Sequence, residues 1–487
     1  MKFMKLGTRP DTFFTADGIR SVCTEVSTDL MIEVENCRYL LHKFPLLSKC
    51  ARLQRLCAEA AADCRDKVAV LPEFPGGTEA FEVCAKFCYG ITVTISALNL
   101  VPVRCAAEYL QMTDELDRGN LVGKLEAFLN SCVLRRWKDS LVTLQATRAL
   151  PRWSEELGIT ARCVDAVASA ILANPSSRVT WSQQGGGSSQ RSVSRGWWAE
   201  DIAELGVDLY WRVMVSVKAA GRASDRLIGK ALKVYAYRWL PTLSRDRAGK
   251  GLPESAGAAQ EASSKHRLLL EKMVSLLPAE KGSISCSFLL KLLKAANVLN
   301  ASASAKAELA RRAGTQLEEA AVGDLLIPSL SDKTQMLYDV DVVMAILEEF
   351  LLQVQSPPTS PRRGGRRHVC ERRRSRSAEN LDAMGQECGR RSSSAASHSS
   401  KLRVAKLIDG YLLEVASDTN LPLGKLVALA EAVPDFARID HDDLYRVVDT
   451  YLKAHPDLDK SERKRLCRVL DCKKLSVEAC MHAAQNE

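Results

Sequence analysis

The chain has 487 residues, of which 46% are apolar and 26% charged, and a net charge of +9. This composition suits a folded protein of two to four domains and excludes a fibrous or wholly disordered one. The charge is concentrated: residues 356–400 carry ten Arg and no Lys against Glu371, Glu379, Asp382 and Glu387. The remainder is close to neutral, so a nucleic-acid-binding domain is not expected.

The opening "MKFMKLGTRPDTFF" lacks the apolar core of a signal peptide, and no run reaches the roughly 18 apolar residues of a membrane span. These features point to a chain made and kept in the cytosol. The sixteen Cys then read as reduced core thiols, as in "FEVCAKFCYG" and "RLCRVLDCKKL".

In chain order, "DLMIEVENCRYLLH" alternates at Leu30, Ile32 and Val34, turns at Glu35-Asn36 and resumes at Cys37. That spacing predicts a hairpin with one buried face. "VAVLPEF" reads as a further strand. Helices follow in "TEAFEVCAKFCYG", "LNLVPVRCAAEYLQM", "NLVGKLEAFLNSCVLRRWKDSLVTLQAT" and "ARCVDAVASAILA". Three stretches, 174–196, 244–264 and 356–400, have too little apolar content to offset the entropy of ordering them. The blocks between them are helical. Val343, Ile346, Leu347 and Phe350 form one stripe; Val404, Leu407, Ile408, Tyr411 and Val415 form another, as do Leu444, Val447, Val448 and Tyr451. Pro422 is placed to start a helix and Pro434 to end it. Ser461 is the expected N-cap of "ERKRLCRVL". No fixed-period repeat is found.

Enzyme signatures are missing: there is no GxxxxGK[ST] loop, no GxSxG elbow and no HExxH. Cys84 and Cys88 share a helix face, but zinc needs about four ligands and no second pair has suitable spacing, so core packing is expected and no metal or cofactor. His441 with Asp440, Asp442 and Asp443 reads as the acidic start of a helix near Leu444. The run "RRGGRRHVCERRRSRS" is compatible with a solvated linker, nucleic-acid binding, an anionic-lipid contact through 362–376, or a kinase or nuclear-import signal. Ser375 and Ser377, each behind an Arg, are candidate phosphorylation sites. Trp197 and Trp198 are a candidate partner-binding pair, with helix docking the competing role. Tyr411 and Tyr445 are candidate modification sites, although core tyrosines with satisfied hydroxyls are the stronger expectation.

Residues 27–120 resemble a BTB/POZ domain, on "TDLMIEVENCRYLLHKFPLLSKCARLQRL" and "LPEFPGGTEAFEVCAKFCYGITVTISALNLVPVRCAAEYLQMTDE". Most of the remainder resembles the helical domain of the plant non-phototropic-hypocotyl family. The marks are "WWAEDIAELGVDLYWRV", "EKGSISCSFLLKLLKAANVL", "LYDVDVVMAILEEFL", "KLIDGYLLEVASDTNLPLGKLVALAEAVPD" and "LYRVVDTYLKAHPDLDKSERKRLCRVLDCKKLSVEACMHAAQNE". The opening is similar to the branch called naked pins in yuc mutants.

The resemblance implies an α+β BTB/POZ-like domain followed by a mostly all-α domain, with disordered linkers. Its divisions fall at an N-terminal segment 1–26, the BTB/POZ-like domain 27–120, a helical extension 121–173, a linker 174–196, and an all-α phototropism-type domain 197–487 interrupted at 244–264 and 356–400. It further implies a non-enzymatic adaptor of a cullin-3 RING ubiquitin ligase in auxin or phototropic signalling. Such an adaptor forms a BTB homo- or hetero-dimer, takes membrane-associated kinases or carriers as clients, and lies in the cytoplasm, peripheral to the plasma membrane. The alternative is a plasma-membrane signalling scaffold for polarity kinases and auxin efflux carriers, without ligase activity. By resemblance Asp29, Lys43 and Phe44 are candidates for the dimer or cullin surface. His42 is expected to be scaffold, held at a strand's end by packing and a backbone hydrogen bond. Leu46, Leu47 and Leu53 are expected to bury, and Lys49, Arg52 and Arg55 to stay wet. Members of the family usually continue past "HAAQNE" with an apolar stretch and then a coiled-coil or Ser-rich tail, to which the resemblance ties membrane targeting or oligomerisation.

Overall fold

Alternating apolar residues and a tight turn build the centre of the N-terminal part in the computed structural model, which describes residues 1–16, 18–62, 68–173, 198–240, 256–329, 336–355 and 382–485. The strands are β1 (Phe3–Leu6), β2 (Phe13–Ala16), β3 (Ile19–Val22), β4 (Leu30–Val34), β5 (Cys37–Leu41), β6 (Val68–Leu71) and β7 (Val93–Ser96). β4 and β5 form the expected hairpin, with Val34 opposite Cys37 and Leu30 opposite Leu41. Glu35 turns the chain at φ 53°, in the left-handed region open to few side chains. Leu30, Ile32 and Val34 are buried, and Met31 and Glu33 are partly exposed, so one face of the hairpin is apolar.

The larger sheet runs in the order β2-β3-β5-β4-β6, while β1 and β7 form a separate antiparallel pair. Three of these strands lie in the stretch 1–26, for which the sequence reading gave no element. Each is four residues long, too short for an alternation signal, and β1 pairs with a partner some ninety residues away.

Ten helices of the first unit are described: α1 (Lys43–Leu47), α2 (Ala51–Ala62), α3 (Gly77–Cys88), α4 (Leu100–Tyr109), α5 (Leu121–Phe128), α6 (Trp137–Ala146), α7 (Pro151–Glu156), α8 (Ile159–Ala173), α9 (Trp198–Ile202) and α10 (Val207–Ala219). α3 covers the sheet: Phe81 stands edge-on to Tyr39 at 4.7 Å, and both are buried. The long helix expected over "NLVGKLEAFLNSCVLRRWKDSLVTLQAT" is two helices, because Leu129–Val133 winds into a π-turn between α5 and α6.

The chain divides into compact units Met1–Ser224 and Asp225–Glu487. The second is helical: α11 (Asp225–Trp239), α12 (Ala256–Leu276), α13 (Cys286–Val298), α14 (Ala303–Gly314), α15 (Val322–Leu325), α16 (Val340–Gln355), α17 (Asp382–Val415), α18 (Leu423–Ala432), α19 (Asp442–Ala454), α20 (Lys460–Cys467) and α21 (Val477–Gln485). α12 and α17 begin inside the stretches 244–264 and 356–400. The predicted stripes are buried: Val343, Ile346, Leu347 and Phe350 on α16, and Leu444, Val447, Val448 and Tyr451 on α19. A Cβ on Gly314 would meet the carbonyl oxygen of Ile346 at 2.8 Å, so this glycine lets α14 lie close against α16. Arg438 and Asp409 are buried together, with Nη2 donating to Oδ1 at 2.8 Å and Nε at 3.0 Å, while Nη1 donates to the Ala430 carbonyl. The pair and its backbone partner leave few polar atoms unmet.

Two local expectations are corrected. The N-cap of α20 is Asp459, not Ser461: its carboxylate accepts from the Glu462 amide at 2.6 Å, and Glu462 returns a bond to the Asp459 amide. The capping box starts the helix one residue before Ser461. Cys467 and Cys472 are exposed rather than core thiols, since Leu466 takes the inward position. Cys50, Cys84, Cys88, Cys105, Cys163 and Cys286 are buried, and burial pushes the Cys105, Cys163 and Cys286 thiols up to about 12.

Candidate protein-docking groove

The segment "HKFPLLSKC" leaves β5 and enters α1 at Lys43. Asp29 caps this entry, with Oδ1 accepting from the Lys43 amide at 2.7 Å. Asp29 is therefore engaged by backbone and Lys43 is half-buried. Phe44 between them and Pro45 points outward and is 85% exposed. Among the described residues it is the most exposed of the large apolar side chains. Leu46 and Leu53 bury as expected, whereas Leu47 is only half-buried. Arg52 does not stay wet; its guanidinium lies 3.8 Å above the Tyr109 ring.

His42 is held more firmly than the sequence reading proposed. Its amide donates to the Tyr89 hydroxyl at 2.7 Å, its Nδ1 lies 3.0 Å from the same oxygen, and its Nε2 is 3.0 Å from the Val26 carbonyl. One arrangement satisfies all three: Nε2–H donates to Val26, and the Tyr89 O–H donates to Nδ1. The ring thus joins the approach to β4, the end of β5 and the end of α3. The Thr24 hydroxyl also lies 3.3 Å from Nε2, so both ring nitrogens are engaged in holding these segments together.

Phe44, Pro45, Ser48 and Lys49 form one wall of an open groove of about 680 Å³. Phe87, Cys88, Tyr89 and Gly90 at the end of α3 form a second, and Gly7–Arg9 and Asp117–Gly119 with Lys124 complete it. Lys49 Nζ pairs with Asp117 and lies 5.6 Å from the centre of the Phe87 ring. Arg9, Arg118 and Lys124 add positive charge to the rim, against the single carboxylate of Asp117. Burial pushes the Tyr89 phenol up to about 12, which keeps it a neutral hydrogen-bonding group. The lining is mainly polar, with Phe44, Pro45 and Phe87 as its apolar part and a cationic rim, which suits an acidic peptide that adds one apolar anchor.

Two braces fix this shape. Gly7, at φ 85°, turns the chain out of β1, and a Cβ there would meet the Ile91 carbonyl oxygen at 2.3 Å. Asn120 is fully buried. Its amide nitrogen donates to the carbonyls of Lys49 and Thr113 at 2.9 and 3.1 Å, while its Oδ1 accepts from the Leu121 amide at 2.8 Å. It ties the groove wall to the start of α5. Sequence reasoning missed the second wall and the rim, because Arg9, Tyr89 and Lys124 come from three distant segments.

The other candidates lie apart from the groove. Trp198 is buried on α9, where Trp137 Nε1 donates to Asp201 at 2.7 Å and binds α9 to α6. Trp197, Ser375, Ser377 and the stretch 362–376 lie outside the described residues. Tyr411 is fully buried, but its hydroxyl has no hydrogen-bond partner among the described residues, contrary to the expectation of a satisfied phenol. Tyr445 is not core: it sits at the surface with its hydroxyl 2.7 Å from His482 Nδ1. His441 precedes α19 without a side-chain capping bond, and Asp442 reaches across to accept from the Ser476 amide at 2.9 Å.

The model of the NPH3 family matches residues 196–480. A BTB/POZ domain-containing protein of Arabidopsis thaliana is 62% identical over 498 residues, covering 100% of this chain and 78% of that relative. Root phototropism protein 3 of A. thaliana is 36% identical over 565 residues, covering 99% and 74%. Coleoptile phototropism protein 1 of Oryza sativa subsp. japonica is 37% identical over 561 residues, covering 98% and 73%. No solved structure matches the chain. With the family domain spanning more than half of its length and these relatives aligned along almost all of it, the chain belongs to the NPH3 family.

Proposed function

We propose that this protein is a substrate-recognition adaptor of a cullin-3 RING ubiquitin ligase, acting in plant auxin or phototropic signalling. In this reading the N-terminal α/β unit is a BTB/POZ-type domain that dimerises and binds cullin-3. The helical remainder presents membrane-associated kinases or carriers as clients. The protein catalyses no reaction on its clients and binds no nucleic acid. It works in the cytoplasm at the periphery of the plasma membrane; among the described residues no helix is long and apolar enough to cross one.

The observation that carries this reading is the exposed Phe44 at the lip of an open groove, in a chain whose relatives are named for BTB/POZ domains and for phototropism. The test is titration of the full chain with the purified cullin-3 N-terminal region. Micromolar binding is expected, with Phe44→Ala weakening it about tenfold, the effect of losing about 1.4 kcal/mol from one aromatic anchor. Absence of binding by a folded wild-type chain would refute the ligase role.

A further inference from the structure

Two thiols face each other beside the groove. Cys50, immediately before α2, places its Sγ 3.8 Å from the Sγ of Cys88, the last residue of α3. Cys50 is fully buried, while Cys88 is 7% exposed and forms part of the groove wall. Cys84 is buried one turn earlier on α3 and is not part of that wall. No metal-ligating cluster exists among the described residues, so the pair is not explained as a ligand set.

We propose that Cys50 and Cys88 are a reversible redox pair: a peroxide entering the groove oxidises Cys88, and Cys50 then closes a disulfide that locks the two walls together. The Cys88 thiolate attacks one peroxide oxygen, the O–O bond breaks and hydroxide leaves, giving a sulfenic acid. The Cys50 sulfur attacks that sulfur, the S–O bond breaks, and the departing hydroxide takes the Cys50 thiol proton and leaves as water. In sum, two thiols and one peroxide become one disulfide and two waters. Contact with Cys88 and burial push the Cys50 thiol well up. A raised pKa leaves little Cys50 thiolate, so Cys50 gives up its proton only as it attacks the sulfenic acid, while burial keeps it away from the oxidant.

Closure brings the sulfurs to about 2.05 Å. The segments that move are Phe44–Lys49, which leads into Cys50, and Phe87–Tyr89, which brackets Cys88. Both line the groove, so the bond draws its walls together and hinders a docking peptide. The covalent step stands on the thiol geometry alone; its effect on docking rests on the function proposed above.

The test uses the wild-type full chain, reduced, treated with hydrogen peroxide, alkylated, digested and mapped by mass spectrometry. A linked Cys50–Cys88 peptide that disappears with dithiothreitol is expected, retained in Cys84→Ser and lost in Cys88→Ser. Failure to find it when the exposed Cys472 and Cys480 are oxidised, or pairing of Cys50 with Cys84, overturns the proposal. The linked protein is expected to bind the cullin-3 N-terminal region several-fold more weakly than the reduced one. Equal affinity overturns the gating and spares the docking reading. No binding in either form refutes the docking reading, and the gating with it, while the link itself stands or falls on the peptide map.

Discussion

Glu126 on α5 accepts from Arg104 of α4 at 2.9 Å and from Arg162 of α8 at 2.6 Å, so one carboxylate joins three helices. Burial raises its pKa, but the Arg162 and Arg104 guanidinium groups outweigh that and hold it below the ordinary 4.5. A lowered folded-state pKa contributes stability that is present above 4.5 and lost as the pH falls through the folded value. Glu126→Gln is therefore expected to cost about 1–2 kcal/mol at neutral pH. The difference from wild type should shrink below pH 4.5, as urea titrations across the acid range would show. Glu126 was not legible as a hub, because the reading of "NLVGKLEAFLN" identified a helix but not its neighbours. His42 was legible as scaffold from its isolation among non-catalytic residues. Its bond to Tyr89 was not, since 47 residues separate them.

Elements with a strong period were the ones foreseen. The β4–β5 hairpin and the stripes of α16 and α19 are where periodicity placed them, because a repeated burial pattern leaves a repeated apolar signal. β1 left no such signal. Its place depends on pairing with β7 and on the turn at Gly7, whose positive φ and contact with Ile91 admit no side chain. Gly7→Ala is expected to destabilise the fold by about 1–3 kcal/mol through that strain. Amide hydrogen exchange should quicken first in β1 and β7, whereas uniform exchange along the chain would contradict the local role given to this turn.

Each compact unit has its own buried core. In the first, Ile32, Leu41, Phe81 and Val101 are wholly enclosed; in the second, Leu290, Leu309, Ile346 and Ile408 are. A unit with its own core is expected to fold alone. The fragment 1–224 should therefore unfold in one cooperative transition by circular dichroism and keep His42, Tyr89 and Phe44 in place. A non-cooperative melt would contradict that assignment. The groove was only partly legible: "HKFPLLSKC" gave Phe44 and one wall, while the facing wall and its cations are assembled by tertiary contacts.

The Asn120 amide has a consequence for how the protein ages. Hydrolysis of that amide to the acid keeps the side chain's shape and replaces its donor nitrogen with an anionic oxygen. The new oxygen would face the backbone oxygens of Lys49 and Thr113, like against like, in a space closed to water. A preparation that loses this one ammonia is expected to lose the tie between the groove wall at Lys49 and the start of α5 with it.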